Sequence, residues 1–434
     1  MNNPTIAENL QTAYQTCEAD RPLEADDPRW QDFSEGRGDD TTATLTKRFR
    51  LRSPDHTLKV AFLSHRGAGK TTELNRLHAA LRDSYYRVYF EANAELDPEH
   101  LEAEDLLLAL ALVIERLFRE ERHPLPERDV KDVERWFAEV VRTTQWGRSL
   151  EAEVSASAGA DGGIPFFTKL AFEIKGIFKT QSEHREEVRA AFRRTPSALV
   201  AAVNRLLDAA STQLAESNRR LLIVIDNLDR YAPQVIDALL LERGALLREL
   251  RVDMVLTPPI SLLYRPISEA LEKHYACEVM NTLRLRRADQ PYDAFDGPGR
   301  DLMLAALRKR IQLEALIPDA RLRDHIVSAS GGAIRELLHL VQESILLENG
   351  PVLAAPAVEK AIARTLQRTR DRVNANGWAR TLARIARNKQ IFDDPSCMDV
   401  LYHRLALKYD GTGWYDVHPL VARLDEFNAA LAAS

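Results

Sequence analysis

Two short motifs carry residues able to act on a phosphorylated ligand. The first is Gly67-Ala-Gly-Lys-Thr71, preceded by the apolar run Val60-Ala-Phe-Leu63 and followed by Leu74 and Leu77 at helical spacing. Four consecutive apolar residues suit a strand buried on both faces. A strand, a glycine-bearing loop and a helix opening on Gly-Lys-Thr form a phosphate-binding loop. Gly67 and Gly69 can adopt the backbone angles that aim successive N–H groups at one anion, and the helix N-terminus adds partial positive charge. Lys70 is placed to reach the β- and γ-phosphates, and Thr71 to offer its hydroxyl to Mg²⁺. Arg66, Gly67, Ala68, Gly69, Lys70, Thr71 and Thr72 are thus the expected nucleotide-binding residues. Ser64 stands where the motif has its first glycine, so a left-handed turn is harder to reach there.

The second motif is Leu221-Leu-Ile-Val-Ile-Asp-Asn-Leu-Asp229. Leu221 to Ile225 read as a buried parallel strand with Asp226 at its C-terminal end, where open α/β sheets bind ligands. An acid there shares the Mg²⁺ with Thr71; the competing reading is a helix N-cap. Asn227 follows, where many phosphate-loop ATPases have a water-orienting glutamate. The next acid, Asp229, either positions the water or pairs with a nearby arginine, and without it hydrolysis is slow. Thr257 closes a further buried strand within Leu250 to Pro259; its hydroxyl hydrogen-bonds the γ-phosphate or caps the strand. Arg335 follows Ser330-Gly-Gly near the start of a helix, from which an arginine can swing onto the phosphates.

The elements that must position these residues are legible in outline. The chain has 434 residues, 45% hydrophobic and 29% charged, with net charge -6: room for two or three domains and no whole-protein attraction to nucleic acid or anionic membrane. Cys17, Cys277 and Cys397 lie far apart without metal-ligand spacing. With no signal-peptide pattern and no apolar run of membrane-spanning length, a cytoplasmic location is expected.

Residues 1–57 are polar and acidic and read as a strap over the nucleotide domain. Trp30 and Phe33 supply packing, and Arg37 forms either a surface salt bridge or a nucleotide contact. Tyr85 to Ala92 is a second strand and Glu99 to about Arg119 a helix, so residues 58–296 form an α/β domain, a three-layer sandwich on a mainly parallel sheet. Alternating patterns around Gly159 to Phe167 suggest an inserted β-hairpin at about 148–182, whose apolar face meets either its own domain or a subunit, partner or membrane. Residues 297–357 read as a helical lid. Residues 358–434 read as a basic helix carrying Arg364, Arg368 and Arg372, then a helix from Pro395, two short strands around Asp410 to Gly413 and a closing helix: a winged-helix domain.

With these pieces in place the chain resembles the AAA+ ATPases, in particular the initiator (origin-recognition-like) and STAND branches. The resemblance implies ATP and Mg²⁺ as cofactors. It also implies Walker A at Gly67 to Thr71, Walker B at Ile223 to Asp229, sensor 1 at Thr257 and sensor 2 at Arg335. Assembly into a homo-oligomer on ATP binding follows from it, with an arginine finger drawn from Arg265, Arg284, Arg286 or Arg287. Asp226-Asn-Leu-Asp-Arg230 is nearer the STAND pattern, which implies a slowly turning nucleotide switch acting on a separate effector, as in bacterial conflict or defence signalling. A DNA-binding initiator or loader is the runner-up: the candidate recognition helix offers only His403 and Arg404, opposed by Asp399 and Asp410, which is little charge for DNA. A phosphate-loop scaffold without hydrolysis is the third reading.

Overall fold

The computed structural model describes residues 6–97, 99–120, 125–148, 176, 183–265, 268–409 and 413–433. The expected hairpin at 148–182 lies outside the described residues except for Arg148 and Gly176. So do Asp410 to Thr412, between the last two strands.

Five parallel strands form the central sheet: β1 (Lys59–Ser64), β2 (Tyr85–Glu91), β3 (Arg220–Asp226), β4 (Asp253–Leu256) and β5 (Ala276–Met280). Their order is β2-β3-β4-β1-β5. Alternation along each strand builds a core on either face. Ala61, Leu63, Val88, Phe90, Ile223 and Ile225 join the helices Ala103–Glu120 and Pro196–Ala215 on one side. Val60, Phe62, Leu222, Val224 and Val255 meet Leu45, Phe49, Leu74, Leu77 and Leu81 on the other. The second layer therefore includes Thr41–Leu51, a helix from the N-terminal region, beside the helix Lys70–Leu81 that follows the glycine loop. The result is the expected three-layer sandwich. Because β4 separates β1 from β3, the ends of three adjacent strands face the glycine loop.

The N-terminal region does more than strap the sheet. Its first helix, Leu10–Thr16, buries Ala13 in a separate core with Phe33, Met303, Leu307, Ile326, Leu337 and Val341. These last residues come from the helices Gly299–Arg308, Ala320–Ala329 and Ile334–Leu347, within the stretch read from the sequence as a lid and so called below. The helix Ala355–Ala375 gives Val358 and Ile362 to the lid core and Val373 to a third core. Gly377, at φ +66°, breaks the basic stretch into two helices, and Ala379–Asn388 follows. The third core contains Leu382, Ile385, Met398, Leu401, Val417 and Phe427. It is built by the helices Ala379–Asn388, Pro395–Tyr402 and Asp425–Ala433 and by an antiparallel ribbon of β6 (Ala406–Tyr409) and β7 (Trp414–Val417). No helix among the described residues is long and apolar enough to cross a membrane.

The C-terminal body is fastened to the rest through a buried charge. Asp416, with 0% exposure, accepts from Arg286, from Lys389 Nζ at 2.6 Å and from the Tyr292 hydroxyl at 2.8 Å. Arg286, an arginine-finger candidate, is thereby committed to a structural ion pair within its own chain. Asp416→Ala leaves that buried guanidinium without its carboxylate, which typically costs about 3–5 kcal/mol. Urea unfolding should show a loss of that size, and limited proteolysis should release the C-terminal body first. Wild-type stability in this variant would contradict the assignment.

Candidate functional site

Gly67 and Gly69 take φ +80° and +102°, the left-handed angles the loop requires. Ser64 needs no such turn, because it is the last residue of β1, paired with Met280 of β5. Its side chain has a use instead: Lys70 Nζ lies 2.9 Å from Ser64 Oγ. Lys70 also donates to Asp229 Oδ2 at 2.5 Å, and both side chains are buried. Of the two readings for Asp229, water positioning or an arginine partner, the second gives way to a pairing with the loop lysine.

Asp226 ends β3, 1% exposed, and its carboxylate collects four donors. Oδ2 accepts from Thr71 Oγ1 at 2.7 Å and from the Tyr89 hydroxyl at 2.8 Å; Oδ1 accepts from Thr257 Oγ1 at 2.8 Å and from the Asn227 N–H at 2.7 Å. Burial and the adjacent Asp226 charge push the Tyr89 phenol well above its usual range, so it stays protonated and donates. Thr257 is fully buried and turned to Asp226 rather than toward the space above the loop. Asn227 has φ +64°. Asparagine tolerates that conformation better than glutamate, so the residue after Asp226 answers to the backbone turn.

A cavity of ≈ 210 Å³ opens over the loop, lined by Arg66 through Glu73, Asp226, Asn227 and Asp229. The lid contributes Ala306, Ile334, Arg335 and Leu338, and the N-terminal region contributes Pro22, Leu23, Trp30 and Arg37. Arg335 thus sits at the cavity, its N–H donating to Gly67 O at 3.3 Å and its side chain 3.7 Å from Asp20. Burial lowers its pKa. Arg37 is buried rather than a surface ion pair: it donates to Ala68 O at 2.6 Å and faces Glu73 at 3.4 Å. Glu73 also accepts from Thr42 at 2.7 Å and Arg76 at 2.8 Å, while Arg76 lies 3.9 Å over the Trp30 ring. The Leu23 N–H donates to Thr72 Oγ1 at 3.2 Å. The glycine loop is therefore roofed by the N-terminal region, through Leu23, Trp30 and Arg37.

Besides Tyr89, two further site residues escaped the sequence. Glu91 ends β2 directly beside Asp226 in the sheet register, is half-buried and lines the cavity. Among the described residues no hydrogen bond or ion pair engages its carboxylate. Its signal was its place at the C-terminal end of a strand, invisible before the strand order was known. His65 is buried on the opposite side of the loop; its Nε2 accepts from the Lys408 N–H of β6 at 2.9 Å. Burial, then the charge of Lys70, holds the imidazole near pKa about 3, so it is neutral.

These residues fit a nucleotide and its metal. The loop N–H groups and Lys70 suit a di- or triphosphate. Thr71 donates its proton to Asp226, which leaves its oxygen lone pairs for a divalent cation. Apolar side chains among the cavity's lining (Pro22, Leu23, Ile334, Leu338) offer a base or sugar a surface. Of the arginine-finger candidates besides Arg286, Arg265 pairs with Asp237 at 2.7 Å and Arg287 with Asp296 at 3.3 Å.

Comparison with known proteins agrees with a phosphate-loop NTPase domain. Residues 67–256, less than half of the chain, match the model of the KAP family P-loop domain. Solved structures with a similar fold include a Walker-type ATPase of Pyrococcus abyssi (11% identity, 94% of this chain and 99% of that one, TM-score 0.48). Cdc6p from Pyrobaculum aerophilum is another (13%, 90% and 92%, TM-score 0.38), as is Orc1 of Aeropyrum pernix in complex with DNA (13%, 97% and 96%, TM-score 0.41). No function follows from likeness at this level. No curated protein matches the chain.

Thr257→Val removes one of the four donors on Asp226 without changing side-chain shape much. A hydrogen bond to a buried charge contributes about 1.5–3 kcal/mol, so chemical denaturation should show a loss in that range. No loss would mean that Thr257 does not hold Asp226.

Proposed function

We propose that the chain is an ATP-binding, slowly hydrolysing switch in which the nucleotide bound at Lys70, Thr71 and Asp226 sets how the lid and C-terminal body sit on the glycine loop. The observation that carries this reading is the contact of both mobile candidates with the loop itself. Arg335 of the lid bonds to Gly67, and the C-terminal body reaches His65 through the Lys408 N–H and the Arg66 carbonyl through Arg404 at 3.5 Å. Tyr402 adds a hydrogen bond to Arg230 O at 2.9 Å, just past the Asp226 motif. A ligand that reshapes the loop changes all of these contacts at once.

In this reading Lys70 and the loop N–H groups hold the β- and γ-phosphates, Thr71 ligates Mg²⁺, and Asp226 orients Thr71 while balancing charge. Bound Mg²⁺ would neutralise phosphate charge. Arg335 approaches the phosphates from the lid. Glu91, with its carboxylate unengaged at the cavity, orients the attacking water; Asp229 is committed to Lys70 and tunes that lysine instead. ATP binding assembles copies of the chain or engages a separate effector, and the STAND resemblance is the only support for a role in conflict signalling. The winged-helix reading of residues 358–434 stays with this proposal, as a protein-contact module. Its helix Pro395–Tyr402 packs against the segment Ile260–Tyr264 of the nucleotide domain and meets Arg230 O through the Tyr402 hydroxyl, which speaks against DNA recognition through that helix.

ATP·Mg²⁺ should raise the melting temperature, since a ligand at a hundred times its Kd stabilises by about 2.7 kcal/mol. Lys70→Ala should abolish the shift, and an unchanged shift there would refute the site. Glu91→Gln should keep binding but reduce phosphate release about 100-fold or more, while Asp229→Asn retains measurable turnover. The reverse pattern would return the water to Asp229.

A further inference from the structure

A second cavity, ≈ 310 Å³, lies on the other side of the glycine loop, where the nucleotide domain, the lid and the C-terminal body meet. Arg66 and Ala68 line both cavities. The second is walled by Glu336 and Glu343 of the lid, by Arg368 and Arg372 of the helix Ala355–Ala375, and by Arg404. Its charges do not balance. Glu336 is taken by Arg404 at 2.5 Å, and Glu343 faces Arg364 at 3.6 Å. Arg66, Arg368 and Arg372 are left without a carboxylate partner among the described residues.

The crowding of like charge is felt by the neighbours. His403 at the cavity wall is held down to about 4 by burial and then by Arg372, Arg66 and Arg404. Burial lowers Arg372 as well; the Arg404 and Arg66 charges add to that effect, and the Glu336 carboxylate opposes it. The buried His65 presents an Nδ1 with no hydrogen-bond partner, and His65 also lines this cavity. A chain of net charge -6 has carboxylates to spare elsewhere, yet Arg66, Arg368 and Arg372 all line this one cavity, the Arg66 guanidinium lying 5.7 Å over the Tyr402 ring. Guanidinium forks match phosphate oxygens in geometry and charge. The volume falls at the lower end of small-molecule sites, about 300–1,000 Å³.

We propose that this cavity is a binding site for a small anion carrying two or more phosphates, held by Arg66, Arg368 and Arg372, that joins the C-terminal body and the lid to the glycine loop. The site is separate from the nucleotide cavity and stands whether or not the switch reading holds. Its occupant would cancel the repulsion among the arginines and favour the docked arrangement of the three bodies. Arg66, shared by both cavities, gives the two ligands a direct route to influence each other.

The test is calorimetric titration of inorganic tripolyphosphate into the full chain and into three variants: Lys70→Ala, the double variant Arg368→Ala/Arg372→Ala, and Arg368→Lys/Arg372→Lys. Both arginines are on the exposed side of their helix, so folding should survive replacement. Binding should persist in Lys70→Ala, weaken about tenfold or more in the double alanine variant, and recover partly in the lysine variant, because two charge-assisted donors are removed or blunted. Binding lost in Lys70→Ala but kept in the double alanine variant would place the anion on the glycine loop alone and overturn the proposal, as would no binding to wild type. A 20-base-pair duplex that competes with tripolyphosphate and depends on the same arginines would also overturn it, assigning the cluster to nucleic acid. The ATP-dependent melting shift is read on the same samples; its loss in wild type would refute the nucleotide reading without touching this one.

Discussion

One buried carboxylate organises the candidate site. Asp226 draws donors from the helix after the glycine loop (Thr71), from β2 (Tyr89), from the end of β4 (Thr257) and from its own turn (Asn227). A carboxylate at 1% exposure is tolerable only when its lone pairs are engaged. Meeting that requirement fixes where three strand ends and a helix start can lie. The same bonds leave the Thr71 oxygen facing the cavity, so the structural demand and the chemical one are met by one set of contacts.

Lys70 and Asp229 make a second constraint of the same kind. Their 2.5 Å ion pair is buried, and a lysine that must meet phosphate does so by sharing or surrendering that partner. The loop is thus electrically balanced by the chain's own acid. On the opposite side of the loop Glu336 is paired with Arg404, and Arg66, Arg368 and Arg372 line the cavity without a carboxylate partner among the described residues. A loop neutralised on one face and strongly cationic on the other is a natural place for two anions to act on one element.

The C-terminal body is more firmly docked than its sequence suggests. Asp416 sits in the middle of a cation cluster from residues 286 and 389, and β6 continues a hydrogen-bonded contact to Thr282 through Lys408 O at 3.0 Å. The helix that a DNA-reading module would present is packed against the nucleotide domain instead. The arginines read as one basic helix divide: Arg364 pairs with Glu343 of the lid, and Arg368 and Arg372 edge a cavity.

The sequence by itself determined the sheet and the loop, because four or five consecutive apolar residues admit few alternatives to a buried strand, and Gly-Lys-Thr after such a strand has a local, steric logic. Lys70, Thr71 and Asp226 were legible for that reason. It did not reveal Glu91, whose significance depends on β2 lying next to β3, or Tyr89, whose hydroxyl meets Asp226 only across that pairing. Nor could it place Arg37, read as a surface ion pair or a nucleotide contact yet buried against Ala68 and Glu73, or choose between two uses for the Thr257 hydroxyl. Periodicity reports which face of an element is apolar. Which charged side chains from distant segments share a cavity is decided by how the elements stack, and only the tertiary structure carries that information.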